Sequence, residues 1–400
     1  MILFLMDNRN IYLDYAAATP LLPAVKAAME PYWSLDFGNP SAIHSAGRSA
    51  RAAVETARGR IAKLAGVRSD SVIFTGSGTE SNNLAVMGYL NRLHSDGVDL
   101  AGTVVLTTKL EHPSLDKALK ALQRQYGIHI EYLTVDEEGL ISPTELSLKL
   151  SDKVVLVAFA YANSEIGIIQ PVGKLARQIR LFNQKFGTRI KLHIDAAQAP
   201  WWLPYQMTTL GVDFLALDVG KCGGPKGAGV LLARDSSALA PIAYGGGQEN
   251  GLRPGTESVP LIVGAAEALV LADRGRAERV AKVQAVRDSG LVIIQDLIPE
   301  AVLNGPVEEN RLPNNINISL PGVDTEYAAI YLDMHGLMVS TKSACAGAGG
   351  GESAVVLEIT QDPNRARSTI RLTLGPDSIV DELETLAKTL RQFLNMMRSV

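Results

Sequence analysis

The strongest constraint on the fold is an alternation that runs from about residue 50 to about residue 235. Segments with the apolar spacing of amphipathic helices alternate with short β-branched runs such as SVIF, GTVVLTT and VVLVAFA. Short strands joined by helices predict a mainly parallel sheet that is covered on both faces. The sequence therefore predicts an α/β protein whose large domain is built on such a sheet.

A second, smaller α/β unit is predicted from the end of the chain. After the glycine-rich segment AYGGGQENGLRPGTES, a long helical stretch leads to the strand candidates NNINISL and STIRLTLG and to a final helix, VDELETLAKTLRQFLNMM. We expect a large domain over residues 15–260 and a small domain formed by residues 1–14 and 261–400. The first ten residues, MILFLMDNRN, are expected to form an edge strand, because no positive charge precedes the apolar run as in a signal peptide.

The amino-acid composition argues against several classes of function. With 46% hydrophobic residues among 400, the chain can form both cores, and its net charge of -4 gives no basic field for nucleic acid. The longest uncharged apolar run, Val154 to Ala162, has roughly half the residues that a membrane helix needs. The two cysteines, Cys222 and Cys345, are too few for a disulfide framework or a typical zinc site. We therefore expect free thiols, no metal and a cytoplasmic location.

Two segments at predicted strand ends carry binding chemistry, because ligands of open α/β sheets sit at the carboxyl ends of strands. FTGSGTESNN follows the strand SVIF and opens a helix, whose first N–H groups and the Thr79 hydroxyl predict a phosphate cradle, with an ordinary helix cap as the alternative. HIDAAQ ends another strand at Asp195. That acid is suited to a protonated ring nitrogen or a metal, with a solvated cap as the alternative.

Two further segments carry candidate nucleophiles. In LDVGKCGGPKG, glycines surround Lys221 and leave room for a ligand beside its amine, so we expect a Schiff-base lysine instead of a solvated one. The segment is not a Walker motif, because Leu215 and Cys222 stand at two of its defining positions. In SACAGAGGG, Cys345 has almost no bulky neighbours, which favours an exposed, mobile nucleophile over a structural cysteine.

These features together suggest pyridoxal 5'-phosphate (PLP) with sulfur chemistry. The sequence resembles the cysteine desulfurases of the NifS/IscS type, which are class-V aminotransferases of PLP fold type I, the aspartate-aminotransferase-like fold. The separation of 26 residues between Cys345 and Arg371 is similar to that of the subgroup with a long cysteine loop. The motifs that carry the resemblance run almost from end to end: YLDYAAATP, FGNPSAIHSAGR, FTGSGTESNNLA, EHPS, ANSEIGIIQP, HIDAAQA, GPKGAGVL, GGGQENGLRPGTES, SACAGAG and STIRLTLG.

The resemblance implies a role for each matching residue around the cofactor ring. Lys221 would bind PLP covalently and, once released, remove the substrate Cα proton, while Asp195 would pair with the pyridinium nitrogen. Gln198 would hydrogen-bond the ring hydroxyl. His112 would stack on the ring and move protons, although a histidine before a proline is also typical of a helix start.

The resemblance also implies residues for the phosphate and the substrate. Gly78 and Thr79 would bind the phosphate, joined by Thr256 from the other subunit of a homodimer. Asn163, which also contacts the cofactor, and Arg371 would hold the substrate carboxylate, Arg371 as a bidentate fork. Without the family, Arg371 is interpreted as a surface charge.

The implied activity is that of a PLP-dependent L-cysteine desulfurase. L-cysteine would become L-alanine and a persulfide would form on Cys345, whose sulfur passes to iron–sulfur cluster assembly or to a tRNA-thiolation relay protein. Three alternatives stay open: a selenocysteine lyase, another PLP enzyme of the same fold such as an aminotransferase, and a non-catalytic sulfur-relay scaffold without cofactor affinity. The rates of alanine release from cysteine and from selenocysteine distinguish a cysteine desulfurase from a selenocysteine lyase.

The chain departs from the family beside Lys221. The family usually has Ser-x-His-Lys, in which serine and histidine bind the phosphate, and this chain has Asp218 and Gly220 at those positions. Two unit charges about 5 Å apart at an effective dielectric near 20 repel by roughly 3 kcal/mol. We expect Asp218 to turn to a nearby donor, or other groups to compensate, in preference to weak cofactor binding. Cys222 is expected to be a buried apolar filler.

Overall fold

The structure is a computed structural model that describes residues 10–307, 309–341 and 351–398. Within these ranges the strands are β1 Ile11–Tyr12, β2 Val72–Thr75, β3 Val104–Thr107, β4 His129–Tyr132, β5 Val154–Ala160, β6 Lys191–Asp195, β7 Phe214–Asp218, β8 Gly229–Ala233, β9 Val302–Leu303, β10 Asn315–Ser319, β11 Leu337–Met338 and β12 Thr369–Thr373. The helices are α1 Pro23–Met29, α2 Pro31–Ser34, α3 Ser45–Ala65, α4 Gly78–Ser95, α5 Pro113–Tyr126, α6 Pro143–Lys149, α7 Val172–Phe186, α8 Met207–Leu210, α9 Val259–Asp273, α10 Arg276–Leu297, α11 Thr325–Met334, α12 Ala354–Thr360, α13 Pro363–Arg367 and α14 Val380–Arg398.

The large sheet has the strand order β2-β8-β7-β6-β5-β3-β4 in the described chain. Strands β4, β3, β5, β6 and β7 pair in parallel, whereas β8 runs antiparallel to both of its neighbours. Both faces of the central strands are covered, which explains why β5 and β7 are nearly continuous apolar runs. The predicted α/β fold with a mainly parallel sheet is confirmed.

Sequence patterns predict where the helices that cover the sheet lie and where they end. Helix α5 buries Leu115, Leu119 and Leu122 on one face, at the three- and four-residue spacing of an amphipathic helix. It ends at Gly127, whose φ of 70° lies in the left-handed region that favours glycine. The long helical stretch after residue 258 is divided into α9 and α10, because Gly275 between them has a φ of 66°.

Two small sheets complete the described fold. Strands β9, β10 and β12 form an antiparallel sheet, and β1 pairs in parallel with β11. The predicted division at residues 14/15 and 260/261 stays a prediction, and the expected edge strand at residues 1–10 falls almost wholly outside the described residues. Within the described residues, no helix is both long enough and apolar enough to cross a membrane.

Candidate active site

A cavity of about 480 Å³ opens where β3, β5, β6 and β7 end. This is the edge of a parallel sheet at which ligands are expected. The structure brings most of the sequence-predicted residues to its walls. The predicted residues that line the cavity are Gly78, Thr79, His112, Asn163, Asp195, Gln198 and Lys221.

Asp195 ends β6 and lies at the floor of the cavity, where it is almost fully buried. Its carboxylate accepts hydrogen bonds from the backbone N–H of Ala197, at 2.9 Å, and from Nδ2 of Asn82, at 2.8 Å. These bonds fix its orientation and leave lone pairs for a ligand. A buried, oriented acid of this kind is suited to a protonated ring nitrogen.

Asn82 is a site residue that the sequence reasoning did not identify. Its Nδ2 contacts both Asp195 and Ser114 Oγ, and its Oδ1 lies 3.0 Å from Nε2 of the buried His193. Asn82 therefore connects α4 to β6 and to the start of α5. Its position in the sequence could have indicated this role, because a residue four positions after Gly78 lies on the same face of α4.

His112 is the N-cap of α5, directly before Pro113. Its Nδ1 accepts the backbone N–H of Ser114 at 3.1 Å, which places the proton of the neutral ring on Nε2. Burial, followed by the positive charge of Lys221, lowers the pKa of His112 below its ordinary value. The imidazole is therefore neutral at pH 7. The helix-start and cofactor interpretations of this histidine are compatible, because capping uses only Nδ1.

Lys221 follows β7 in a short turn, Val219–Lys221, and lines the cavity beside His112. In the described chain its amine has no hydrogen bond or ion pair. Burial raises the pKa of another lining residue, Glu111, to about 8, so that its carboxyl group is mostly protonated and uncharged at pH 7. The amine of Lys221 is left for a ligand, because it has no hydrogen bond or ion pair to any described residue.

The first turn of α4 forms one end of the cavity. Ser77 caps this helix by accepting the N–H of Glu80, which leaves the N–H groups of Gly78 and Thr79 for an anion. Asp218 approaches this turn so closely that a Cβ on Gly78 would lie 3.0 Å from the Asp218 Cβ. A side chain at position 78 would therefore require Asp218 to shift.

Asn163 and Gln198 contribute side-chain amides to the cavity wall, and backbone groups already orient both. The Asn163 Nδ2 donates to Leu110 O at 2.8 Å, and its Oδ1 accepts from the N–H groups of Glu165 and Ile166. The Gln198 Nε2 donates to Ala16 O at 3.0 Å. Each amide nitrogen has a second hydrogen that a ligand is able to accept.

Arg371 is not among the described residues that line the cavity. It is almost fully buried in β12, where Nη2 forms a 2.5 Å ion pair with Asp14 Oδ1. Its Nη1 lies 3.4 Å from the carbonyl oxygen of Ser164, which does line the cavity. The alternative of a surface charge is wrong. A substrate carboxylate would have to share this guanidinium with Asp14, a residue that the sequence reasoning did not name.

Two further predicted residues are not placed in the cavity. Cys345 lies outside the described residues, between 341 and 351. Thr256 is exposed on the loop before α9 and does not line the cavity of its own chain. Its expected contact with the site of a second subunit stays a prediction. Cys222, in contrast, is fully buried in the core, and burial raises the pKa of its thiol.

The donor set of the cavity fits PLP. The free N–H groups of α4 at one end suit a phosphate, the oriented carboxylate of Asp195 suits a protonated ring nitrogen, and the unpaired amine of Lys221 suits an aldehyde. Among the described residues that line the cavity, Asp218 is the carboxylate beside the first turn of α4, and its charge opposes an anion there.

The comparisons with known proteins agree with this site. Residues 11–386 match the model of the class-V aminotransferase family. The chain is 37% identical to the cysteine desulfurase IscS of Dictyoglomus turgidum, over 98% of this chain and 96% of that relative. It is 35% identical to cysteine desulfurase IscS 1 of Archaeoglobus fulgidus, over 97% of this chain and 98% of that relative. A solved NifS-like protein superposes with a TM-score of 0.88 at 28% identity, over 97% of this chain and all of that one.

The fold and the family match define the protein as a class-V aminotransferase, within PLP fold type I. Within that class, the chain belongs to the cysteine desulfurases of the NifS/IscS type. This family is PLP-dependent, and its activity makes L-cysteine the substrate. The enzymatic interpretation is therefore adopted in place of the non-catalytic scaffold.

A buried ion pair holds the glycine-rich loop that precedes Thr256. Glu249 accepts from the two Nη atoms of Arg58 at 2.7 and 2.9 Å, and from the backbone N–H of Phe74 at 2.8 Å. Glu249 adopts a left-handed φ of 47°. Because Phe74 lies in β2, just before the first turn of α4, the pair connects this loop to the phosphate end of the cavity.

Replacement of Glu249 by alanine is expected to destabilise the protein. The Arg58 charge would stay buried without its partner, so the free energy of unfolding is expected to fall by about 3 to 5 kcal/mol. Glu267→Ala is the control, because it breaks a partly exposed pair between Arg60, on the same helix as Arg58, and Glu267 of α9, and it is expected to cost about 1 kcal/mol or less. Urea denaturation at a fixed protein concentration measures both. Equal losses would contradict the structural role of Glu249.

Proposed function

We propose that the cavity holds PLP on Lys221 and converts L-cysteine to L-alanine, with the sulfur accepted by Cys345 as a persulfide. The observation that carries this proposal is the shared cavity of Lys221, Asp195 and the first turn of α4 in a chain of the cysteine desulfurase family. When bound, PLP supplies an electron sink that stabilises negative charge on the substrate Cα.

Each residue around the cofactor ring would then have a separate role. Lys221 would remove the Cα proton, since its amine has no other partner among the described residues. Asp195 would hold the proton of the ring nitrogen, and Gln198 would donate to the ring hydroxyl. His112, neutral at pH 7, would stack on the ring and help to move protons.

The phosphate and the substrate carboxylate would bind at separate places. The N–H groups of Gly78 and Thr79 would hold the phosphate, together with Thr256 from a second subunit. Asn163 would bind the substrate carboxylate and also contact the cofactor. Arg371 would reach the same carboxylate past Ser164 by sharing its guanidinium with Asp14.

Sulfur transfer requires a thiolate from Cys345. A sulfur–sulfur bond forms between Cys345 Sγ and the substrate sulfur while the bond between the substrate sulfur and Cβ breaks, and the carbon skeleton leaves as L-alanine. No external oxidant is needed, because the electron pair of the broken sulfur–carbon bond stays on Cβ, which takes up a proton and is reduced to the methyl group of alanine while the transferred sulfur is oxidised. We propose that the sulfur passes to a protein acceptor, either an iron–sulfur scaffold or a tRNA-thiolation relay protein.

A homodimer is part of this proposal. Large apolar side chains that are more than half exposed lie in the segment after α1 and on the glycine-rich loop, and such surfaces are typical of protein interfaces. They are Trp33, Leu35, Phe37, Ile43 and Tyr244. The low cysteine count is typical of a reducing compartment, so we propose the cytoplasm as its location.

The proposal is tested by incubating the PLP-loaded protein with L-cysteine and measuring its intact mass. We expect a gain of one sulfur atom that peptide mapping places on Cys345, together with an equal amount of released L-alanine in the first turnover. Release of pyruvate in place of alanine, or a protein that gains no sulfur, would show a different reaction.

A further inference from the structure

The phosphate end of the cavity contains a carboxylate that has no cationic partner. Asp218 ends β7, and its Oδ1 accepts the backbone N–H of Gly220 at 3.0 Å. Its Oδ2 faces the first turn of α4, where a Cβ on Gly78 would lie 3.2 Å away. Within the described residues no ion pair involves Asp218. The carboxylate thus binds a nearby donor with one oxygen and stays in the cavity wall with the other.

Gly220 allows this arrangement. A Cβ at position 220 would lie 3.2 Å from Asp218 Oδ1, which is closer than most such contacts, so the carboxylate would have to shift by a few tenths of an ångström. Asp218 and Gly220 therefore act as a pair: the glycine supplies the N–H group and the space, and the aspartate supplies a negative charge beside the N–H groups of Gly78 and Thr79.

The other charged or titratable groups near Asp218 do not neutralise it. The amine of Lys226 donates to the carbonyl oxygen of Thr19, and the carboxylate of Glu80 accepts the Gly76 N–H and pairs with Arg253. Cys222 is buried and uncharged. The titratable and charged groups around Asp218 are Lys221, Cys222 and Lys226 on its own segment, His112 before α5, Asp195 at the end of β6, Glu80 on α4 and Arg253 on the loop before α9.

We propose that Asp218 makes the phosphate subsite selective for the monoanion, by sharing one proton between its Oδ2 and a phosphate oxygen of the cofactor. This inference rests on the proposed function, because it takes PLP as the ligand. A dianion at this place would be repelled by an unpaired carboxylate, whereas a shared proton changes the repulsion into a short hydrogen bond between two oxygens. The proton is taken from solvent on binding and returned on release.

The consequence is a cofactor affinity that decreases as the pH rises. The second pKa of a phosphate ester is about 6, so free PLP is mostly a dianion at pH 7 and above. Because binding then takes up one proton, we expect the Kd of the wild-type protein for PLP to rise by about tenfold per pH unit above pH 7. Without the carboxylate, this proton uptake is lost.

The test measures the Kd for PLP by equilibrium dialysis between pH 6.5 and 8.5, on the full chain. Asp218→Asn keeps the shape of the side chain and removes its charge. The wild-type Kd is expected to rise about tenfold per pH unit, whereas the Kd of Asp218→Asn is expected to stay nearly constant with pH. Asp218→Ser serves as a second neutral variant. The control is Glu352→Gln, which removes a carboxylate from another part of the cavity wall and is expected to keep the steep dependence.

Phosphorus NMR of the wild-type complex gives a readout that needs no variant. The bound phosphate is expected to show the shift of the monoanion at pH 7.5 and not that of the dianion. A dianion shift, or the same pH dependence in wild type and Asp218→Asn, would overturn the inference while leaving the proposed function intact. If the wild-type protein bound no PLP at any pH, both the inference and the proposed function would fail.

Discussion

Replacement of Lys221 by alanine is expected to abolish the visible absorbance of the PLP-loaded protein and nearly all turnover. The amine would be the covalent attachment point and also the base that removes the Cα proton, and a positioned base alone contributes about 10²- to 10⁴-fold to a rate. We therefore expect alanine formation from L-cysteine to fall by about 10³-fold or more. Absorbance spectra after dialysis against PLP, and an amino-acid assay, measure the two effects.

A matched control exists on α5. Lys117 is exposed, lines the mouth of the cavity and has no ion pair in the described chain. Lys117→Ala removes a comparable amine and a positive charge, and it is expected to keep the absorbance and most of the turnover. If both variants kept the absorbance, Lys221 would not be the attachment point. If added methylamine restored proton removal in Lys221→Ala, the role as base would be supported separately.

Most of the fold could be predicted because it depends on local periodicity. Helical segments between short apolar runs force parallel pairing, since a crossover needs about a dozen residues or more. The antiparallel β8 was not predicted, yet its signal was present: the connection from Asp218 to Gly229 is short and contains no helical period. The break between α9 and α10 was missed for a different reason, because an isolated Gly275 within a helical pattern does not always end a helix.

The candidate site could be predicted where it lies at strand ends and helix starts. Asp195, Lys221 and Thr79 occupy such positions, so topology alone brings them to one edge of the sheet. The spacing from Gly78 could have placed Asn82 on the cavity face of α4, but not its partner, an acid 113 positions later. Asp14 had no comparable signal, because it pairs with an arginine 357 positions later. Such contacts depend on tertiary packing that no local pattern encodes.

The two cysteines differ in the surroundings of their thiols. Cys222 is fully buried, and the raised pKa of its thiol keeps it protonated, so it is poorly suited to be a nucleophile. Its Sγ lies 3.5 Å from the carbonyl oxygen of Val219, within the core and behind the turn that carries Lys221. Cys345 has glycine and alanine neighbours in the sequence, without bulk to cover a thiol. We therefore expect Cys345 to accept the sulfur and Cys222 to take no part in the reaction.

Cys345→Ser is expected to remove persulfide formation completely. A serine hydroxyl cannot form a sulfur–sulfur bond, so the protein should gain no sulfur from L-cysteine, and alanine release should fall by about 10³-fold or more, the scale on which nucleophile removal acts. PLP absorbance should stay unchanged, because the cofactor site is not altered. Intact-mass measurement after incubation with L-cysteine, followed by an alanine assay, tests the three expectations.

Cys222→Ala is the matched control, because it removes the other thiol while leaving Cys345 in place. It is expected to keep the persulfide and the alanine yield, with a loss of roughly 1 kcal/mol in stability from the small cavity that the missing sulfur leaves. Labelling of the native wild-type protein with iodoacetamide should modify one thiol, and Cys345→Ser should modify none. A sulfur gain that persists in Cys345→Ser and disappears in Cys222→Ala would reverse the assignment, and it would require the core around β7 to open during turnover.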